Sequence, residues 1–296
     1  MKKIAVLLAA YNGEQWIEAQ ITSILQQRTV GVTIFISVDV SQDNTLKLCE
    51  QLAVNQPRIK ILPYGEKFGG AAPNFYRLLK DVDFSTFDYI AFADQDDIWP
   101  EEKLQRACTF MHDYDVYSSN VTAFWPDGRT FLIDKAQPQV KYDFLFEAAG
   151  PGCTYVIKRD VALRFKDFIT NNWAAVKEVA LHDWLFYAYA RVHHYRWKID
   201  DLSCMHYRQH ANNQVGANNS FAAAMKRYKL IKSKWYRGEV LKLINLFDDK
   251  VDIPYKQRLI SNSYFDKIRL LPYIHDFRRK RKDRAYLALA ILLGDF

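Results

Sequence analysis

The sequence predicts an α/β chain, a mostly parallel sheet flanked by helices and followed by a basic helical extension. Three observations carry this prediction. Apolar runs alternate with helical spacings through the first hundred residues, each run ends in polar residues, and the charge changes after about residue 215. Strands separated by helices imply right-handed crossovers and a sheet of the nucleotide-binding type. Ligands of such sheets lie beyond the carboxyl ends of the strands.

The elements follow in order. Residues 3–10 (KIAVLLAA) form a continuous apolar run, as expected of a strand covered on both faces. With Met1, Lys2 and Lys3 ahead of it the run imitates a signal peptide, but it is short and leads straight into the turn Tyr11-Asn12-Gly13. Residues 14–27 place Trp16, Ile17, Ile21, Ile24 and Leu25 at helical spacing. A strand over 32–38, a helix over 44–54, a strand over 58–64, a helix over 73–81 and a strand over 88–94 complete the alternation. The four strands lead into Asn12, Asp39, Glu66 and Asp94. From about 115 the pattern is mixed, with strands in VYSSNVTAFW, GRTFLID, CTYVIK and YRWKIDD and helices near 160–169 and 182–192. This divides the chain into a catalytic-looking part, 1–215, and a helical part, 216–296.

Charge follows the same division. The net +7 splits into +10 over 216–296 and −3 over 1–215. A basic, aromatic segment beside an acidic one points to an anionic surface acting on the tail alone. The last apolar run, 285–293, is too short to span a bilayer. Four dispersed cysteines without a CxxC pair favour a reducing compartment.

The strongest chemical signal is AFADQDDIWPEEKL, 91–104. An acidic turn ahead of a helix accounts for Glu101 and Glu102, which favour a helix N-terminus. It does not account for Asp94, Asp96 and Asp97 directly after a buried strand. Three crowded carboxylates there suit Mg²⁺ or Mn²⁺ bridging to a substrate phosphate. In VDVSQDNT, Asp43 reads as a cap for the next helix, while Asp39 stands open between base recognition and turn structure. Asp183, ahead of an apolar run, reads on position alone as a helix cap. Cys204, His206 and His210 lack a fourth ligand at zinc spacing. His193 and His194 read as a solvated strand end, and His182 as a group that orients Asp183.

The ordered segments LLAAYNGEQWIEAQITSILQQ, VDVSQDNT, ADQDDIW, GPGCTYVIKRD and HDWLFYAYA, then HYRQHANNQVG, resemble the nucleotide-sugar glycosyltransferases of family 2, which have the GT-A fold. Within that family the chain is similar to the bacterial rhamnosyltransferases of O-antigen or capsule synthesis. One departure is Val38-Asp39-Val40-Ser41, where the family usually has Asp-Asp-Gly-Ser. The resemblance implies an inverting, metal-dependent enzyme that takes a sugar, L-rhamnose from dTDP-rhamnose, to a glycan or undecaprenyl-linked acceptor. A glucosyl- or galactosyltransferase of the same family is the alternative. The resemblance implies that Ala10, Tyr11 and Asn12 line the nucleotide pocket with Asp39 on the base and Asp94 on ribose or diphosphate. Lys67, Gly69 and Asn74 lie in a segment that touches the nucleotide, and Gly152 and Cys153 border the sugars. Asp96 holds Mg²⁺ or Mn²⁺, with Asp97 and His210 in support, and Asp183 is the general base.

The basic tail then reads as a peripheral attachment to the inner face of the cell membrane. Leu230, Ile231, Trp235, Leu241, Ile244 and Leu246 need apolar cover, from the catalytic part, from lipid or from both, and residues 278–282 supply charge. A nucleic-acid-binding module is the alternative from another class; the acidic part and the lack of a recognisable motif argue against nucleic acid as a partner. A nucleotidyltransferase would carry a Gly-rich basic loop after the first strand, and AAYNGEQW has none.

Overall fold

The computed structural model describes residues 1–210 and 232–296. Its centre is a single sheet of eight strands among the described residues. In chain order these are β1 (Lys2–Ala10), β2 (Val30–Val38), β3 (Ile59–Ile61), β4 (Tyr89–Asp94), β5 (Val116–Phe124), β6 (Thr130–Ile133), β7 (Val156–Lys158) and β8 (Trp197–Arg208). The order is β3-β2-β1-β4-β7-β5-β6, with β8 on the other edge of β5. β1 pairs in parallel with β2 and β4, and β2 with β3; β7 runs antiparallel to β4 and β5, and β6 antiparallel to β5. The mixed half follows from two short returns, β6 and β7, inserted into an otherwise parallel array.

Strand alternation explains why β1 is apolar throughout. Ile4, Val6, Leu8 and Ala10 enter one core while Ala5, Leu7 and Ala9 enter the other. The first core is closed by α1 (Ile17–Leu25), α2 (Thr45–Val54) and α4 (Lys103–Phe110), the second by α3 (Ala71–Asp81), α5 (Arg159–Asn171) and α7 (His182–Val192). A one-turn helix, α6 (Trp173–Val176), joins the last two. The third strand is shorter than the expected 58–64. It is an edge strand paired only from Ile59 to Ile61, and the chain beyond it returns to Asp39 at Phe68 and Gly69. His193 and His194 close α7 rather than a strand, with His194 in the left-handed region at φ 58°.

Residues after 232 form α8 (Trp235–Leu246), α9 (Lys256–Ile260), α10 (Tyr264–Ile268) and α11 (Arg281–Leu292). They pack on the second core. Val240, Leu243, Ile244, Leu287 and Ile291 are buried with Phe165 and Phe186, and Leu241 and Leu246 pack against the same cluster. Of the two sources of cover expected for this apolar face, protein therefore supplies that of Leu241, Ile244 and Leu246; Leu230, Ile231 and the division at 215/216 lie outside the described residues. The charge cluster 278–282 is also not a uniform surface patch. Arg279 is fully buried, with Nε 3.7 Å from the Asp143 carboxylate and Nη2 3.4 Å from that of Glu147. Arg278 donates to the Phe146 carbonyl at 2.7 Å and pairs with Asp283 at 3.2 Å. Sequence composition counts these charges but not their partners, which apart from Asp283 lie more than 130 residues away.

Candidate active site

A cleft of about 1150 Å³ opens over the carboxyl ends of β1, β2 and β4. One half is lined by Ala10, Tyr11, Asn12, Asp39, Lys67, Gly69, Asn74, Asp94 and Asp96, and His210 reaches it from beyond β8. Gly152 and Asp183 lie at its middle. Two expected residues do not line it. Cys153 is fully buried, and Asp97 is buried beside it, so that the acidic groups of Asp94 and Asp97 and the Cys153 thiol lie within 4.8 Å of one another. Consecutive residues after β4 diverge in direction, which sends Asp96 to the cleft and Asp97 behind it.

Local chemistry holds these loops. The Gln95 amide donates to the Tyr11 carbonyl at 2.7 Å and accepts the Tyr11 N–H, tying the loop after β4 to the loop after β1. Gly13 permits that approach, since a Cβ there would lie 2.8 Å from the Gln95 side chain. The Asn12 N–H donates to Ser41 Oγ at 3.0 Å, and Asn12 Oδ1 accepts the Gln42 N–H at 2.8 Å. The Asp39 carboxylate accepts N–H groups from Val40, Phe68 and Gly69 at 2.8–2.9 Å. It thus folds the segment carrying Lys67 over the cleft; Gly69 can adopt the required φ of +77°. Asp43 accepts N–H groups from Glu14 and Thr45, as a turn residue does. Asn74 donates to carbonyls of Ala10 and Ser37 and so clamps β1 to β2.

The acidic cluster is electrostatically loaded. Burial and then the Asp96 charge push the Asp94 carboxyl well above its ordinary range, and the same two causes act on Asp97. His210 Nε2 lies 2.7 Å from Asp96 Oδ2 and its ring stacks on Trp16 at 3.9 Å. β8 delivers this group: Ile98 and His206 exchange backbone hydrogen bonds, and Arg208 Nε donates to the Asp96 carbonyl at 2.9 Å. Beneath the cluster, Lys103 is buried, its ammonium over the Trp99 ring and donating to the Cys153 carbonyl at 3.0 Å.

Asp183 stands in the first turn of α7, whose N-cap is Leu181, so it is not the cap. Its Oδ1 accepts the Trp184 N–H at 2.8 Å. Burial raises its pKa to about 6 against the pull of backbone N–H groups. The Gly152 Cα faces it: a Cβ there would lie 2.8 Å from His182 Nε2 and 2.9 Å from Asp183 Cβ. His182 is stacked on Phe75 at 3.9 Å and burial holds it neutral, with its pKa lowered to about 3. No hydrogen bond joins it to the Asp183 carboxylate among the described residues; its ring packs on Phe75 and Phe92.

A cleft of acids at the ends of parallel strands is the arrangement expected above, and residues 5–169 match the model for "Glycosyl transferase family 2". The chain belongs to this family. The glycosyltransferase is 49% identical over 293 residues to "dTDP-rhamnosyl transferase RfbG" of Shigella flexneri, covering 98% of this chain and all of that protein. It is 28% identical over 160 residues to "UDP-Glc:alpha-D-GlcNAc-diphosphoundecaprenol beta-1,3-glucosyltransferase WfgD" of Escherichia coli, covering 52% of this chain and 59% of that one. Among solved structures, S. aureus TarS 1–349 in complex with UDP-GlcNAc superposes with a TM-score of 0.55 at 16% identity, covering all of this chain and 88% of that one. The mannosyltransferase PcManGT of Pyrobaculum calidifontis, in complex with GDP-Man and Mn²⁺, gives 0.51 at 16%, covering 99% and 86%. The fold is thus of the GT-A type.

The glycosyltransferase carries donors that fit a divalent cation. Asp94 and Asp96 line the cleft with His210 beside them, an oxygen-dominated set suited to Mg²⁺ or Mn²⁺. Sequence reasoning missed Gln95 and Trp16, whose contacts span distant loops, and the whole far half of the cleft. That half is built from Lys135, Glu147, Trp235, Tyr236, Arg278 and Lys282. Only the charge asymmetry of the tail hinted at it.

Proposed function

We propose that this glycosyltransferase moves L-rhamnose from dTDP-rhamnose to a glycan or undecaprenyl-linked acceptor in surface polysaccharide synthesis, with inversion. The near full-length likeness to the dTDP-rhamnosyl transferase carries the choice of donor. Asp183, lining the same cleft as Asp94 and Asp96, supports the chemistry.

In this reading Ala10, Tyr11 and Asn12 border the nucleotide, and Asp39 holds the lid segment 67–69 against the base. Asp183 takes the proton from the acceptor hydroxyl as that oxygen attacks the anomeric carbon. The bond to the diphosphate breaks on the opposite face, and one displacement inverts the configuration. Asp94, Asp96 and His210 would hold Mg²⁺ or Mn²⁺, which would supply charge neutralisation for the departing diphosphate. The neutral, stacked His182 and the missing Cβ of Gly152 fix Asp183 in place.

A lipid-linked acceptor places the enzyme at the inner face of the cell membrane. No helix of the described residues is long and apolar enough to cross a membrane. The exposed face of α11 supports peripheral seating: Tyr286, Leu289, Leu292 and Leu293 are about half exposed, next to Tyr264 and Phe265 of α10, with Arg281 and Lys282 at the helix start. The test is a screen of nucleotide sugars for metal-dependent hydrolysis. Preferential turnover of dTDP-rhamnose, abolished by EDTA and restored by Mg²⁺ or Mn²⁺, is expected. Full activity under chelation, or preference for a UDP-hexose, would refute the metal or the donor assignment.

A further inference from the structure

One face of α1 carries polar side chains where an amphipathic helix would bury apolar ones. Trp16 stands at its N-cap, Gln20 and Ser23 lie within it and Gln27 follows it, all on a single helical stripe. Gln20 is fully buried, and Ser23 and Gln27 are nearly so. None of these three lines the cleft formed by the described residues. Polar groups so placed are costly unless hydrogen-bonded, and each is bonded to the acidic loop between β4 and α4. The Gln20 amide donates to the Asp94 carbonyl at 2.9 Å. Ser23 Oγ accepts the Trp99 N–H at 3.1 Å and donates back to the Gln20 carbonyl at 2.8 Å. Gln27 donates to the Pro100 carbonyl at 2.7 Å and accepts the Leu104 N–H at 2.9 Å. Trp16 carries the stripe into the cleft, where its ring stacks on that of His210, whose Nε2 meets Asp96.

We infer that Trp16 and Gln20 are positioning residues for the metal and diphosphate site, acting through Asp94, Asp96 and His210. Ser23 and Gln27 anchor the far end of the same loop. This rests on the metal reading above and adds to it the side chains that set where the donors stand. An irregular loop has no ladder to hold its backbone, so its carbonyls and N–H groups need other partners. Gln20 supplies one at Asp94, and Arg208 supplies the next at the Asp96 carbonyl from the opposite side. The Asp96 carboxylate therefore leaves a backbone held at both ends, while Trp16 fixes the plane of the imidazole. A fully satisfied buried network of this kind is rigid, and such outer partners orient metal ligands. A plain loop clamp would spread its effect evenly along the stripe. A positioning role concentrates the effect at the cleft end.

The experiment titrates Mn²⁺ into the full chain, with and without dTDP, and follows free Mn²⁺ by electron paramagnetic resonance. The chains compared are the wild type, Gln20→Met, Trp16→Ala, Trp16→Phe and Gln27→Met. Gln20→Met and Trp16→Ala should each weaken Mn²⁺ binding roughly tenfold or more, the range for loss of a partner that orients a ligand. Trp16→Phe keeps a stacking ring and should stay within about threefold of the wild type. Gln27→Met should lower the thermal midpoint, since it breaks two bonds to the loop, yet leave Mn²⁺ affinity within about twofold. Trp16 lies at the cleft, so its variants report even where Gln20→Met fails to fold. Affinity unchanged from the wild type in Gln20→Met and Trp16→Ala overturns the assignment. Equal losses in Gln27→Met and Gln20→Met make the stripe a plain clamp, and equal losses in Trp16→Phe and Trp16→Ala remove stacking as the cause; either overturns it too. Absence of Mn²⁺ binding by the wild type refutes the metal reading, and the assignment with it.

Discussion

The two halves of the cleft are built in different ways. The nucleotide half is made by the ends of neighbouring parallel strands and the short loops that follow them, each loop clasped to the next by backbone N–H groups donating to side-chain oxygens. The far half is assembled from segments 90 to 132 residues apart, joined through a buried charge network around Asp143 and Arg279. The first half is acidic and local, the second cationic and long-range. Chemistry common to a family can therefore sit on the sheet, while what distinguishes one acceptor from another can sit on the helices after residue 232.

The comparison can be broken first at Asp183, where the halves meet. Asp183→Asn should keep dTDP affinity and lose turnover by about 10²–10⁴-fold, the range for removal of a general base. Collapse of nucleotide binding with little loss of turnover would return Asp183 to a structural role. A second break lies in the buried network. Arg279→Met leaves Asp143 and Glu147 without that cation in the interior and should cost about 3–5 kcal/mol of stability, read by denaturant unfolding. A change under about 1 kcal/mol would mean that the charges of the far half are solvated after all.

Smaller effects sharpen the contrast. Gly152→Ala forces a Cβ against His182 and Asp183 and should cost about 1–3 kcal/mol while lowering kcat. Gly150→Ala meets only ordinary contacts at 3.6–3.7 Å and should be tolerated. Last, a base with its pKa raised to about 6 must be deprotonated to act. The rate should therefore fall as pH drops through about 6 and level off above it, and Asp183→Asn should lose that limb.

The sheet was legible because apolar runs of strand length, each followed by polar residues, leave few alternative folds. That Asp94, Asp96 and Asp183 would share one cleft was legible because they occupy strand or helix ends in recognisable runs. That Asp97 and Cys153 lie behind the cleft was not legible, because sequence spacing does not reveal which side of a turn a side chain takes. Arg278 and Arg279 were misjudged for a different reason: a run of basic residues looks like surface until Asp143, Glu147 and Asp283 are known to meet it. Trp16 under His210 carries no local signal at all.

The most direct test of the central claim combines donor and stereochemistry in one assay. The enzyme is incubated with dTDP-rhamnose, Mg²⁺ and a diphosphate-linked glycan acceptor, and the anomeric configuration of the new linkage is read by NMR. The account predicts metal-dependent transfer with the configuration of the donor inverted, and no transfer by Asp183→Asn. Retention of configuration, or transfer undiminished in Asp183→Asn, would contradict it.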